Sequence, residues 1–72
     1  MSNTTTFTVT GMTCGHCVSA VTDELTAIDA VEQVDIDLVA GGDSPVTITS
    51  STPVEQAAIT EAVDEAGYTV TF

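Results

Sequence analysis

The sequence predicts an α+β domain in which two helices cover one face of a four-stranded antiparallel sheet. Two observations support this prediction. Apolar residues alternate with polar ones in four segments, which is typical of half-buried strands, and recur every three to four positions in two longer segments, which is typical of amphipathic helices. The segments follow one another in the order strand-helix-strand-strand-helix-strand.

The first strand is predicted from Thr4 to Thr10, because Phe7 and Val9 fall on one face and threonines on the other. Gly11 breaks this strand. A helix is predicted from Cys17 to about Ile28, and Thr13 is predicted to cap it. Its apolar face consists of Val18, Val21, Leu25 and Ile28.

The second strand is predicted from Val31 to Val39, and residues 40–43 read as a hairpin loop. The third strand is predicted to open at Pro45, because a residue without an N–H group suits a strand start or a sheet edge. The inward residues of these two strands are predicted to be Val34, Ile36, Leu38, Val46 and Ile48.

The second helix is predicted from Pro53 to about Ala66. Thr52 and Glu55 have the spacing of a capping box, Pro53 suits the first helical position, and Gly67 ends the helix. A last strand follows over residues 68–72. Helices in both crossovers and a tight central hairpin together favour the ferredoxin-like split βαβ arrangement. The buried stripe of this helix is predicted to be Val54, Ala58, Ile59, Ala62, Val63 and Ala66.

The charge of the chain excludes several classes of partner. With 72 residues the chain is expected to form one domain over residues 1–72. It contains no Lys or Arg and 11 Asp plus Glu, so its net charge is −11. Nucleic acid and anionic membrane surfaces are therefore not expected as partners. The acids are spread from Asp23 to Glu65 rather than gathered in a tail, which indicates the solvated acidic surface of a halophilic cytoplasm.

No targeting segment is visible in the sequence. The first six residues are polar and uncharged, whereas a secretory signal needs a basic region followed by an apolar run. No run approaches the roughly 20 apolar residues that span a bilayer. We therefore expect a cytoplasmic protein that does not insert into a membrane.

The chemistry of the chain is concentrated in residues 11–17, Gly-Met-Thr-Cys-Gly-His-Cys, which hold both cysteines and the only histidine. Two thiols three positions apart could form a disulfide, a redox pair or a metal site. Across a helix start they can point at one ion, and the helix dipole favours a thiolate at Cys17. Two soft thiolates suit Cu(I), whereas a closed zinc site needs four ligands.

The stretch Gly11-Met12-Thr13-Cys14-Gly15-His16-Cys17 resembles the GMxCxxC signature of heavy-metal-associated domains. That family includes copper chaperones and the N-terminal metal-binding domains of copper-transporting P-type ATPases. The resemblance implies that Cys14 and Cys17 bind Cu(I), that Met12 is a buried anchor of the loop, and that Tyr68 lies near the metal. It implies a carrier rather than an enzyme.

The resemblance also implies how the metal moves. A monomer would pass Cu(I) by thiolate exchange to a copper-transporting P-type ATPase, docking through residues 12–17, which include Thr13, and through Tyr68. A metal-bridged dimer is the alternative to a monomer. His16 is predicted to face solvent; its alternative role is that of a third ligand in such a dimer.

Other functions compete with this interpretation. Within the same family, the metal could be Ag(I), Hg(II), zinc or cadmium. The Cys-Gly-His-Cys tetrapeptide also occurs in protein disulfide isomerases, which suggests a thiol-disulfide redox protein. The chain is too short for the fold of those enzymes, and Met12-Thr13 precedes Cys14 where they carry an aromatic residue. A ferredoxin-like domain that binds a small molecule or a partner would leave the two thiols unexplained.

Overall fold

A computed structural model describes residues 2–72 and shows the predicted order of elements. All strand pairs are antiparallel, and the sheet has the order β2-β3-β1-β4, so that β1 and β3 are central. The predicted α+β fold with a four-stranded antiparallel sheet and two helices is confirmed. The elements are β1 (Asn3–Thr10), α1 (Gly15–Thr26), β2 (Val31–Ile36), β3 (Asp43–Ser50), α2 (Gln56–Glu65) and β4 (Thr69–Thr71).

A single apolar core lies between the sheet and the helices. The predicted inward residues of β1, Phe7 and Val9, are buried, as are Val21 and Leu25 of α1. Among residues 2–72, no helix is long and apolar enough to cross a bilayer. The buried apolar residues are Phe7, Val9, Met12, Val21, Leu25, Val31, Val46, Ile48, Ile59, Ala62 and Val63.

The outer face of β1, β3 and β4 is built largely from threonine. Because Phe7 and Val9 face the core, the even-numbered residues of β1 face outward. Without Lys or Arg the chain cannot form opposite-charge pairs across strands, and like charges placed opposite each other destabilise a sheet. Threonine is β-branched and forms favourable uncharged pairs instead. Four such pairs are in register: Thr4 with Thr49, Thr6 with Thr47, Thr8 with Thr71, and Thr10 with Thr69.

Pro45 does not open the third strand, and that prediction was wrong. β3 begins at Asp43, and Pro45 lies inside this central strand opposite Thr8 of β1. On the side of β3 that faces β2, the Pro45 carbonyl accepts the N–H of Asp37 at 3.0 Å. Pro45 has no N–H to return to β2. The β2–β3 ladder therefore ends at Ile36, and β2 is shorter than predicted.

The start of the second helix also differs from the prediction. α2 begins at Gln56, its N-cap is Glu55 with an extended backbone, and no side chain caps it. The predicted capping box of Thr52 and Glu55 is therefore absent. Val54 packs against the core from the extended segment before the helix, which keeps Pro53 and Val54 out of the first turn. The buried stripe of α2 itself, Ile59, Ala62 and Val63, is confirmed.

The charge of the folded chain predicts a strong effect of salt on stability. Eleven acids without a Lys or Arg repel one another in the compact state, and salt at about 1 M shortens the Debye length to about 3 Å. We expect the melting temperature, followed by circular dichroism, to rise steadily between about 0.1 M and about 2 M KCl as this repulsion is screened. Sucrose at matched osmolarity is the control and should stabilise less. A melting temperature that is unchanged or lower in high KCl would refute the halophilic interpretation.

Candidate metal centre

Gly11 turns the chain at the end of β1 and brings it close to Tyr68. Its φ is +97°, a region that glycine adopts without steric cost. A Cβ atom at this position would lie 3.4 Å from Cδ1 of Tyr68. Glycine therefore permits both the turn and the close approach of the aromatic ring.

Met12 fixes the loop to the body of the domain. Its side chain is fully buried in the core, which is the position that an anchor of the loop requires. Its carbonyl accepts the N–H of Gly41, from the β2–β3 loop, at 3.0 Å. The sequence analysis did not predict this hydrogen bond between the two loops. The only signal for it was the pair of glycines, Gly41 and Gly42, in the hairpin loop.

The first helix begins at Gly15, two residues before the predicted start, and Cys14 is its N-cap. Cys14 has an extended backbone, with φ −155° and ψ 176°, and its carbonyl accepts the N–H groups of Cys17 at 3.1 Å and Val18 at 3.3 Å. The prediction that Thr13 caps the helix was wrong, because the N-cap is the next residue, Cys14. The Thr13 hydroxyl lies 3.8 Å from the Cys17 sulfur instead.

The helix start brings the two thiols together. The Sγ atoms of Cys14 and Cys17 are 3.6 Å apart, and both thiols are free. Cys14 is exposed and Cys17 is half-buried, while His16 between them is exposed. Among residues 2–72, no group of three or more His, Cys, Asp or Glu side chains is placed to hold a metal ion. The arrangement is a two-sulfur site open to solvent on the Cys14 side.

The end of α2 places Tyr68 beside this site. Gly67, with φ +91°, follows the helix; its N–H bonds to the Asp64 carbonyl at 2.9 Å, and the Tyr68 N–H bonds to the Val63 carbonyl at 3.1 Å. These two bonds form a Schellman motif, which satisfies carbonyls at the end of the helix. The prediction that Gly67 ends the helix is confirmed, and the motif fixes the half-buried Tyr68 where β4 starts.

Hydrogen bonds to the Cys17 sulfur favour its thiolate. The pKa of Cys17 is lowered from 9.0 to about 6, first by the backbone N–H of Thr13, then by the Tyr68 hydroxyl, the backbone N–H of Cys14 and the Thr13 hydroxyl. The pKa of Tyr68 is raised, chiefly because its hydroxyl donates to the Cys17 sulfur. These groups therefore favour the thiolate of Cys17 over the neutral thiol.

This arrangement predicts how Cys17 responds to pH. Alkylation requires the thiolate, so the rate at Cys17 should fall as the pH drops through about 6. Tyr68→Phe removes one donor and should move the midpoint upward, toward the ordinary 9.0. The measurement is the iodoacetamide reaction rate by intact mass, in a Cys14→Ser background so that Cys17 alone reacts. Thr69→Val, on the outer face, is the matched control and should leave the midpoint unchanged. A midpoint near 9.0 before any change at Tyr68 would contradict the assignment.

Comparison with known proteins places this geometry in a family. A family model for the heavy-metal-associated domain matches residues 6–69. The copper chaperone CopZ of Staphylococcus aureus (strain JH9) is 40% identical over 62 residues, which cover 86% of this chain and 88% of the relative.

Solved structures agree in fold. The CopZ metallochaperone superposes with a TM-score of 0.82 at 33% identity, covering 96% of this chain and 100% of the other. The Cu(I)-loaded N-terminal domain of a potential copper-translocating P-type ATPase from Bacillus subtilis superposes with a TM-score of 0.79 at 25% identity, covering 97% of this chain and 85% of that one. The family match over residues 6–69 and the 40% identity show that this chain belongs to the heavy-metal-associated domain family.

Proposed function

We propose that this protein is a cytoplasmic copper chaperone. It binds one Cu(I) ion through Cys14 and Cys17 and delivers it to the metal-binding domain of a copper-transporting P-type ATPase. The observation that carries the proposal is the pair of free thiols, 3.6 Å apart at the start of α1. Support also comes from the relatives, which include a copper chaperone and a Cu(I)-loaded ATPase domain.

The donor set suits Cu(I) in particular. Thiolates are soft ligands that select Cu(I), and two of them suffice for an ion that accepts a low coordination number. A metal ligand must be deprotonated, and the lowered pKa of Cys17, about 6, makes this sulfur easier to deprotonate than an ordinary thiol. Zinc in a closed site would require two further ligands beyond this pair.

The excess negative charge of the site is offset without a cationic side chain. Two thiolates and one Cu(I) carry a net charge of −1, and the chain contains no Lys or Arg to balance it. The backbone N–H groups of Thr13 and Cys14 and the Tyr68 hydroxyl donate to Cys17, and the positive end of α1 lies at the same place. We infer that these donors stabilise the metal-bound form as well.

The two sulfurs have different environments, which suggests an order of events during transfer. Cys14 is exposed, whereas Cys17 is half-buried and held by the donors from Thr13 and Tyr68. A thiolate of the acceptor adds to Cu(I) on the open side, and the bond to Cys14 then breaks. A second acceptor thiolate displaces Cys17. Each step forms one copper–sulfur bond and breaks one, and the metal stays Cu(I).

The proposal predicts one tightly bound Cu(I) per monomer. We expect reduced protein in molar KCl, titrated without oxygen, to take one Cu(I) from a competing chromophoric chelator. Cys14→Ser or Cys17→Ser removes a ligand and should weaken binding by more than about 100-fold, since losing even an outer contact to a ligand costs about 10–100-fold. His16→Ala, between the two cysteines at the start of α1, is the matched control and should change the affinity little.

Two results would contradict this function. If the protein failed to compete with the chelator, the pair would be a candidate redox centre, and its reduction potential would decide that function. If His16→Ala lost as much affinity as a cysteine variant, the imidazole would be a ligand and the two-sulfur assignment would be wrong.

A further inference from the structure

The loop between β2 and β3 contacts the cysteine loop, residues 11–14, and holds an exposed valine. Two large apolar side chains in residues 2–72 are exposed, Val39 at 45% and Phe72 at 51%. The ring of Phe72 packs on Phe7, with centroids 5.9 Å apart, so that it covers the edge of the core. Val39 lies instead in the loop between β2 and β3. A single exposed apolar residue is ordinary. The backbone of Val39, however, is fixed by several hydrogen bonds.

A buried serine fixes the backbone of Val39. The Oγ of Ser44, which is fully buried, accepts the Val39 N–H at 2.9 Å and donates to the Val39 carbonyl at 3.4 Å. The same carbonyl accepts the Gly42 N–H at 3.0 Å. A Cβ at Gly42 would lie 3.0 Å from Cγ1 of Val39, so the valine side chain packs closely over the glycine. Both backbone polar groups of Val39 are thus satisfied, and the residue is held in place before any partner arrives.

The same loop is joined to the cysteine loop. Gly41 has a φ of +74° and donates its N–H to the Met12 carbonyl at 3.0 Å. Met12 stands two residues before Cys14 and is itself fixed in the core. Val39 therefore lies in a loop that is hydrogen-bonded to the loop before Cys14, at the same end of the sheet, so a partner that covers both loops contacts Val39 as well as Cys14.

The charge of the chain limits how a partner can be held there. The net charge is −11, and no Lys or Arg is available to attract an acidic partner. Contacts that do not depend on charge must supply the attraction, and an apolar side chain provides one that persists when salt screens the surface.

We propose that Val39 is an apolar docking contact for a second domain that carries a Cys-x-x-Cys loop and exchanges Cu(I) with this one. This inference rests on the proposed function and adds to it the surface by which the partner is held. The occupant is the cysteine loop of that second domain, because Cu(I) can pass between thiolates only when the two loops are in contact.

Exchange of Cu(I) between two copies of this chain tests the proposal. Unlabelled Cu(I)-loaded protein is mixed with apo protein labelled with nitrogen-15 in molar KCl, and the exchange rate is measured by NMR. Val39→Ser in both copies should slow exchange by about tenfold, the effect of losing one central apolar contact. Val39→Ile keeps the apolar contact and should retain the rate. Ala57→Ser, at an exposed position near the start of α2, is the matched polar control and should also retain it.

The Cu(I) titration is repeated on each variant, so that docking and metal binding are separated. The proposal expects Val39→Ser to keep the full affinity for Cu(I) while exchange slows. An unchanged exchange rate would overturn it, and so would a loss of affinity equal to the loss of rate, because Val39 would then act through the metal site. If the parent protein bound no Cu(I), the proposed function would fail, and this inference with it.

Discussion

The protein must hold a thiolate without the help of a positively charged side chain. It contains no Lys or Arg, and its one histidine is exposed. The charge of Cys17 is met by hydrogen bonds instead, from the backbone of the loop and from the Tyr68 hydroxyl. Two glycines with positive φ, Gly11 and Gly67, form the turns that precede Thr13 and Tyr68. These two turns therefore contribute to placing the groups that lower the pKa of Cys17.

The absence of Lys and Arg also affects the rest of the fold. The outer face of the sheet uses threonine pairs where other sheets can use opposite charges, and all the acidic residues except the half-buried Glu24 are exposed to solvent. Stability is therefore expected to depend on the apolar core and on the screening of repulsion by salt. Met12 connects this core to the candidate metal centre, because its buried side chain anchors the loop that leads into Cys14 and the start of α1.

Much of this fold follows from periodicity in the sequence. Alternation and helical spacing predicted all six elements and the main buried residues, since both patterns reflect one face packed on a core. The errors lie where backbone contacts outweigh local signals. Pro45 lies inside a central strand, where its missing N–H ends the neighbouring ladder, and Val54 packs on the core from the non-helical residues before α2. The Gly-Met-Thr-Cys-Gly-His-Cys motif of residues 11–17 located the candidate metal centre. The effect of Tyr68 on Cys17 and the bonds between Ser44 and Val39 depend on tertiary placement, which no local pattern encodes.

We propose that Cys14 and Cys17 alone hold Cu(I) in the monomer. X-ray absorption at the copper edge, on Cu(I)-loaded protein in molar KCl at neutral pH, tests this most directly because it identifies the atoms bound to the metal. We expect two sulfur atoms and no nitrogen or oxygen in the first coordination shell, with the protein monomeric in the same sample. A bound imidazole nitrogen, or a shell with fewer than two sulfurs, would contradict it.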